Sequence, residues 1–290
     1  MYDNLHHHFK FLKPDNIPES FKHDVYDSLM EDDFQGYGNR TSWAEDYHSH
    51  ETDRLLSLLE TDRDRFQKYN WIDENDKLIF PTYDCDWFGM RTHLIPKDGI
   101  SLALGCSYTF GLGNHTEQTW PSYLSKELDI DIMNLGVCGG GVDTCYRLLK
   151  AYTKDFSVKN VFILIPGCYR YERFYSKLVG GIRHIRLLPN DTDLTKEEQK
   201  IYDVTWSKVE SLDENVFINF HKSLEAIRYI CIKKNIRLFE YLNPTFYLPH
   251  ESQQNQWPIT KYPSFCSVHH GPEIQQFITD KFTELYQSKF

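Results

Sequence analysis

The sequence contains no uninterrupted apolar run of about 18 residues, the length that a membrane-spanning helix needs. No apolar segment followed by a small-residue cleavage site lies near residue 1, so no signal peptide is predicted. The seven cysteines are odd in number, and their spacing fits no disulfide framework. The absence of targeting and membrane segments predicts a cytoplasmic protein, and the cysteine pattern predicts a reducing compartment.

Basic residues are scarce in the first third of the chain. Residues 1–98 hold 21 acidic and 11 basic side chains, whereas residues 99–290 hold 21 of each, so the net charge of −10 belongs to residues 1–98. No basic stripe is present, which argues against a nucleic-acid partner. The change in charge predicts a boundary near residue 98, between an acidic N-terminal extension and a main domain at 99–290 on which it packs.

Internal repeats, the Walker lysine and the dinucleotide-binding glycine spacing are also absent. The glycine run at 139–141 is therefore a weak argument for a nucleotide-binding protein, and no cofactor is predicted. The three histidines at 6–8 stand in a polar stretch and are interpreted as part of a tail rather than as a metal tract.

What the sequence does contain, from residue 99 onward, is a regular alternation of strands and helices, which is typical of a parallel α/β sheet. Strands are predicted at 100–104, 131–135, 161–165 and 236–241, and helices at 120–128 and from residues 142, 216 and 272 onward. Residues 167–214 interrupt the alternation as a long insert, of the kind that often forms a functional lid or a partner surface.

The N-terminal extension is predicted to be irregular α+β structure. One helix is expected within residues 43–68, and short strands and a turn are expected around 78–80 and 87–89. Residues 14–42, rich in acidic side chains, proline and glycine, are predicted to be irregular.

The motif of greatest chemical interest lies where the first predicted strand ends. The apolar run 100–104 stops at Gly105, which lets the chain turn sharply, and Ser107 follows two residues later. A serine at such a turn is exposed at a rigid strand end, beside backbone N–H groups if a helix begins there. Ser107 is therefore a candidate nucleophile. The alternative is that Ser107 only caps a helix.

Ligands of parallel α/β sheets bind at the carboxyl ends of the strands. The glycine loop after the second strand is expected at the same edge as Ser107. From residue 100 onward, the chain resembles the SGNH hydrolases, also called the GDSL esterase family. The motifs that carry the resemblance are Gly105-Cys106-Ser107 with Thr109 and Gly111, then Asn134, Gly136 and Gly139, and last His269, His270, Gly271 and Pro272.

The resemblance implies a flavodoxin-like three-layer α/β/α sandwich with a mainly parallel sheet. It also implies that Ser107 is the nucleophile and that His269 is the base, with His270 as the alternative base. The backbone N–H groups of Ser107 and Gly139 would then form the oxyanion hole.

Two positions depart from the family pattern. The oxyanion asparagine is replaced by Cys168, and the triad aspartate by Cys266. Cys106, Cys138, Cys168 and Cys266 thus stand in the four motifs, and with His269 they are a possible zinc site. The interpretation we favour is that these cysteines are small buried loop residues, because no pair has the spacing of zinc ligands.

Arg170 and Arg173 follow the third predicted strand of the main domain. They either bind an anionic or sugar substrate by paired hydrogen bonds or serve packing and solvation.

Two functions of different class follow. The first is a serine hydrolase of a small acyl ester, such as an O-acetyl group on a carbohydrate. The second is a catalytically impaired binding or structural module, part of a homo-oligomer or larger assembly through the N-terminal extension.

Overall fold

The computed structural model of the protein describes residues 9–12, 52–81, 83–86, 90–92, 94–168, 170–177, 181–187, 196, 212–242, 264 and 269–289. The predictions for the histidines at 6–8, the segment 14–42 and the turn at 87–89 lie outside these residues.

A four-stranded parallel sheet forms the centre of the molecule. Its strands, in chain order, are β3 (Ile100–Gly105), β4 (Ile132–Gly136), β5 (Val158–Ile165) and β8 (Arg237–Leu242), and they lie in the order β4-β3-β5-β8. All three pairings are parallel. The parallel sheet predicted from the sequence is confirmed, with strand ends that differ by a few residues.

Four helices cover the two faces of this sheet. They are α4 (Trp120–Leu128), α5 (Val142–Asp155), α6 (Leu212–Lys233) and α7 (Pro272–Gln287). Alternate residues of β3 point to opposite faces, as in any strand. Leu102 packs in a cluster with α5 and α6, and Ala103 packs in a second cluster with α4 and α7. The result is a three-layer α/β fold with helices on both sides of the sheet.

The remaining elements lie before β3 and inside the predicted insert. Residues 52–61 form α1, α2 is Arg63–Lys68, and α3 is the short helix Ser107–Phe110. The strands β1 (Phe9–Leu12) and β2 (Tyr83–Asp86) pair in parallel, and β6 (Tyr171–Lys177) and β7 (Gly181–Leu187) form an antiparallel pair.

The predicted insert at 167–214 contains a hairpin, formed by β6 and β7. One prediction about the segment before β3 was wrong. In place of a strand at 78–80, the structure has a single bridge between Ile72 and Leu78, and the nearest strand is β2. In β6 and β7 polar and charged residues interrupt the apolar pattern, so hydrophobic periodicity gave little signal there. The apolar run at 78–80 is only three residues long, and Pro81 after it has no N–H to donate to a strand.

Hydrogen bonds and an ion pair join residues 65–91 to the elements of the parallel sheet. The Arg65 guanidinium binds both carboxylate oxygens of Glu273 in α7, at 2.6 and 3.0 Å. Trp71 Nε1 donates to Gln118 Oε1 at 3.3 Å. The domain boundary at residue 98 stays a prediction. No helix in the described ranges has the length and apolar content for crossing a membrane.

Candidate active site

Ser107 lies at the point where β3 ends and α3 begins. Gly105 has a φ of 156°, and a Cβ there would lie 2.1 Å from Thr109 Oγ1 and 2.9 Å from the Leu164 carbonyl oxygen. Only glycine therefore allows the chain to turn this tightly. The residue in the capping position is Cys106, so Ser107 is the first residue of the helix and not its cap. Ser107 is 5% exposed, so the expectation of a solvent-exposed serine was wrong: the residues packed around the strand end bury it.

The second motif holds the first in place through Asn134. Its side-chain Nδ2 donates to the Thr109 carbonyl at 2.8 Å, and its Oδ1 accepts from the Gly136 N–H at 3.0 Å. Gly136 is also pressed against α3, because a Cβ there would lie 2.2 Å from the Phe110 nitrogen. The turn that carries Ser107 is thus packed directly on the end of β4.

The glycine loop that follows β4 leads into α5. Gly139 has a φ of 75°, a conformation that a side chain disfavours. A Cβ on Gly141 would lie 2.2 Å from the Arg170 carbonyl oxygen, so the segment after β5 runs against this loop. Cys168, at the position expected for an oxyanion asparagine, is 3% exposed. Arg173 lies in β6.

His269 and His270 approach the site from the C-terminal side, just before α7. The Tyr108 ring stacks on the His270 ring at 4.2 Å between centroids, and it lies 5.3 Å from the His269 ring at a tilt of 53°. Asn114 Nδ2 donates to the His270 carbonyl at 2.9 Å. Because Tyr108 is adjacent to Ser107, these contacts bring the histidine pair next to the end of β3.

The two histidines differ in their access to solvent. His270 is fully buried, whereas His269 is partly exposed. A general base must reach a proton on the substrate side of the nucleophile, within hydrogen-bond distance. Of the two rings, only His269 has some access to solvent, and its role as the base stays a prediction.

Burial controls the protonation of both rings. It lowers the pKa of His269 to about 3, and the nearby Arg170 charge lowers it further. It also lowers the pKa of His270 to about 3, with the His269 ring as a second cause. Both imidazoles are therefore neutral at pH 7, the form that accepts a proton, and the lowered pKa makes His269 a weaker base than an ordinary histidine.

Several residues predicted from the motifs therefore lie around one edge of the sheet. Tyr108, the neighbour of Ser107 in the chain, contacts His269. The charge of Arg170 lowers the pKa of His269, and the Arg170 backbone lies against the glycine loop. Cys266 lies outside the described residues. Within the described ranges, no group of three or more His, Cys, Asp or Glu side chains is arranged to hold a metal ion.

Three polar residues near the site were missed by sequence reasoning: Arg91, Asn114 and Gln275. All three are buried and bind backbone carbonyls of residues 108–114 or of His270. Nothing in their local sequence pattern distinguishes them from surface polar residues. The bonds to the Phe110, His270 and Tyr108 carbonyls span 19, 156 and 167 positions in the chain, so only the fold reveals them.

No family model matches the chain, and neither does any curated protein. Among solved structures, the chain is similar to the psychrotrophic esterase EstA from Pseudoalteromonas sp., with 14% identity, 66% of this chain and 98% of that one covered, and a TM-score of 0.40. It is also similar to a protein of the G-D-S-L lipolytic family from Desulfitobacterium hafniense DCB-2, with 13% identity, 65% and 99% coverage and a TM-score of 0.29.

A further match is a two-domain esterase active on acetylated mannans, with 14% identity and a TM-score of 0.32. The match covers 66% of this chain and 50% of that one. At these identities and TM-scores, the similarities bear on neither the reaction nor the substrate of this chain. The three-layer α/β fold itself rests on the strand order and helix packing described above.

Proposed function

We propose that the protein is a serine hydrolase of the SGNH type that cleaves a small acyl ester, with Ser107 as nucleophile and His269 as general base. The observation that carries the proposal is the contact of Tyr108 with His269 at the carboxyl edge of the parallel sheet. Tyr108 is the neighbour of Ser107 in the chain, so this contact supports a nucleophilic serine and a histidine base acting together, although the two residues are far apart in sequence.

The reaction has two halves. His269 accepts the proton of the Ser107 hydroxyl while the serine oxygen bonds to the ester carbonyl carbon, and the tetrahedral intermediate then expels the alcohol, which takes the proton from His269. Water, activated in turn by His269, attacks the acyl-enzyme. The carboxylic acid leaves, and the proton returns to the Ser107 oxygen.

The oxyanion of each tetrahedral intermediate needs donors that are already in position. The backbone N–H groups of Ser107 and Gly139 are the proposed donors. At the N-terminus of α3, the first N–H groups have no carbonyl partner within the helix, which supports this role for Ser107. Arg170, whose backbone touches the glycine loop, is proposed to bind polar groups of the substrate.

The acyl group is proposed to be small, with an O-acetyl group on a carbohydrate as the finer proposal. Residues 99–290, with β6 and β7 inside, would form the catalytic domain, and residues 1–98 an extension packed on it.

A series of p-nitrophenyl esters tests the reaction and the acyl preference together. We expect acetate to be hydrolysed with a higher kcat/KM than butyrate or octanoate, and Ser107→Ala to lower kcat on acetate by at least about 10³-fold. His269→Ala should lower it comparably, because serine and base act as a unit. An unchanged rate in Ser107→Ala would refute the mechanism, and no turnover by the native protein would favour a non-catalytic binding module.

A further inference from the structure

The helix that begins with Ser107 is too short to hold its own conformation. The four residues of α3 form barely one turn, and a helix of this length has a nucleation cost that its own hydrogen bonds do not offset. The carbonyl groups at its C-terminal end also require partners from elsewhere. The position of Ser107 therefore depends on the groups that bind these carbonyls.

Side chains from three distant parts of the chain supply those partners. The Tyr108 carbonyl accepts from Gln275 Nε2 at 3.1 Å, and the Thr109 carbonyl accepts from Asn134 Nδ2 at 2.8 Å. The Phe110 carbonyl accepts from Arg91 Nη1 at 3.0 Å. Of these three donors, only Arg91 comes from the N-terminal third and only Arg91 carries a charge.

Arg91 makes the most extensive of these contacts. Its Nη1 also donates to the Gly111 carbonyl at 2.6 Å, and its Nη2 donates to the Asn114 carbonyl at 2.6 Å. The Arg91 side chain is 1% exposed, so these bonds form in a site with little water. A planar guanidinium directs several donors along fixed lines, and a lysine cannot reproduce this geometry.

The segment around Arg91 is itself held against the same loop. The Arg91 guanidinium lies 4.6 Å from the centre of the Tyr83 ring, and the Tyr83 hydroxyl accepts from the Gly113 N–H at 2.9 Å. The Tyr83 ring also contacts the Phe110 ring, with 5.6 Å between centroids. Two side chains of the N-terminal third thus fix the chain on the C-terminal side of α3.

We propose that Arg91 is a positioning residue for Ser107, so that the N-terminal third completes the active site. The inference rests on the proposed hydrolase function. Arg91 touches neither Ser107 nor substrate, and it acts by fixing the far end of the short helix. A displacement of about 1 Å at a reacting group can cost about 10²-fold in rate.

The chain offers a matched control in Arg65. Arg65 is a partly buried arginine that also joins the N-terminal third to the rest of the molecule, but it binds Glu273 in α7 and not α3. The substitution Arg91→Lys keeps the positive charge and removes the planar guanidinium with its several fixed donors. Arg65→Lys makes the same change at the control position. Both variants are compared with the native full-length chain.

Three measurements test the proposal: thermal unfolding, kcat and KM on p-nitrophenyl acetate, and deuterium exchange of the backbone amides at 107–114. For Arg91→Lys, we expect kcat to fall about 10- to 100-fold with KM changed less than threefold, and exchange at 107–114 to quicken. For Arg65→Lys, we expect a lowered Tm with kcat and exchange at 107–114 unchanged.

The proposal is overturned if Arg91→Lys and Arg65→Lys lower kcat equally, or if exchange at 107–114 is the same in both variants. If the native protein has no more activity than Ser107→Ala, the proposed hydrolase function fails on its own. The exchange comparison then still decides whether Arg91 holds the helix. Should Arg91→Lys not fold, Tyr83→Phe, which removes one bond to Gly113, provides a milder version of the same comparison.

Discussion

His270 is a neutral ring in a buried position, and this has a consequence for stability. Its pKa falls from an ordinary 6.5 to about 3 in the folded protein, so the unfolded chain binds the proton first as the pH decreases. The free energy of unfolding therefore decreases between about pH 6.5 and pH 3, by up to about 1.4 kcal/mol per pH unit for one such histidine.

The substitution His270→Phe isolates this effect, because it keeps an aromatic ring against Tyr108 and removes the titrating group. We expect the variant to show a flatter dependence of unfolding free energy on pH between 6 and 4 than the native protein does. Urea unfolding at each pH provides the measurement. His221→Gln, at an exposed position of α6, is the substitution control. An unaltered slope in His270→Phe would contradict the assigned protonation.

In the proposed mechanism, the protonation of His269 sets a second pH dependence, that of kcat/KM. An ordinary histidine base with a pKa of 6.5 would lose about nine-tenths of its neutral form by pH 5.5. Because the pKa of His269 is lowered to about 3, kcat/KM should stay nearly constant from pH 7 to 5.5. Arg170→Met removes one cause of the lowered His269 pKa. In this variant we expect the fall of kcat/KM at acid pH to begin at a higher pH than in the native protein. A native acid limb centred near pH 6.5 would contradict the account.

At the scale of elements, the close contact between β4 and α3 fixes the geometry of the turn at Ser107. A methyl group on Gly136 would meet backbone atoms of Phe110 and Thr109 at 2.2 to 2.8 Å, and neither element can move without disturbing the sheet edge. We expect Gly136→Ala to destabilise the protein by about 3 kcal/mol and to lower activity.

Gly99→Ala is the comparison for this variant. Gly99 has a φ of 81°, but the nearest atoms to an added Cβ belong to the flexible Lys159 side chain. The strain of the backbone alone should cost about 1 kcal/mol. Chemical denaturation of the two variants measures the difference, and equal destabilisation would mean that the contact between β4 and α3 is not tight.

The succession of strands and helices along the chain could be predicted from the sequence, because the strands are short apolar runs and the helices have clear periodicity. The turn at Gly105 and the loop at Gly139 were also recognisable, since glycine marks backbone conformations that other residues avoid. The hairpin of β6 and β7 was not, because charged residues interrupt both strands.

The side chains that hold the backbone around Ser107 could not be predicted from the sequence, for a different reason. Arg91 and Gln275 bind backbone carbonyls, and a carbonyl has the same chemistry whatever residue bears it. Sequence pattern therefore cannot show which carbonyl a distant side chain will reach. The choice of His269 over His270 came from the family resemblance and stays a prediction.

At the scale of the whole molecule, the ion pair between Arg65 and Glu273 is expected to join the N-terminal third to α7 with a measurable energy. Its side chains are 10% and 22% exposed, and the contact has two hydrogen bonds. A double-mutant cycle with Arg65→Met and Glu273→Gln should give a coupling of about 1.5–3 kcal/mol.

The pair Arg63 and Asp76 provides the matched control for this cycle. It also has two hydrogen bonds, but its side chains are 55% and 43% exposed. The corresponding cycle with Arg63→Met and Asp76→Asn should give less than about 1 kcal/mol, because solvent screens the charges. Couplings of equal size would show that burial does not strengthen the first pair.

The central claim is that Ser107 is a nucleophile served by His269, and covalent labelling tests it most directly. A fluorophosphonate probe is incubated with native protein, Ser107→Ala and His269→Ala, and the modified residue is identified by mass spectrometry of peptides. The account predicts one adduct on Ser107 in the native protein, none in Ser107→Ala and strongly slowed labelling in His269→Ala. An adduct on another residue, or labelling at the native rate without His269, would contradict it.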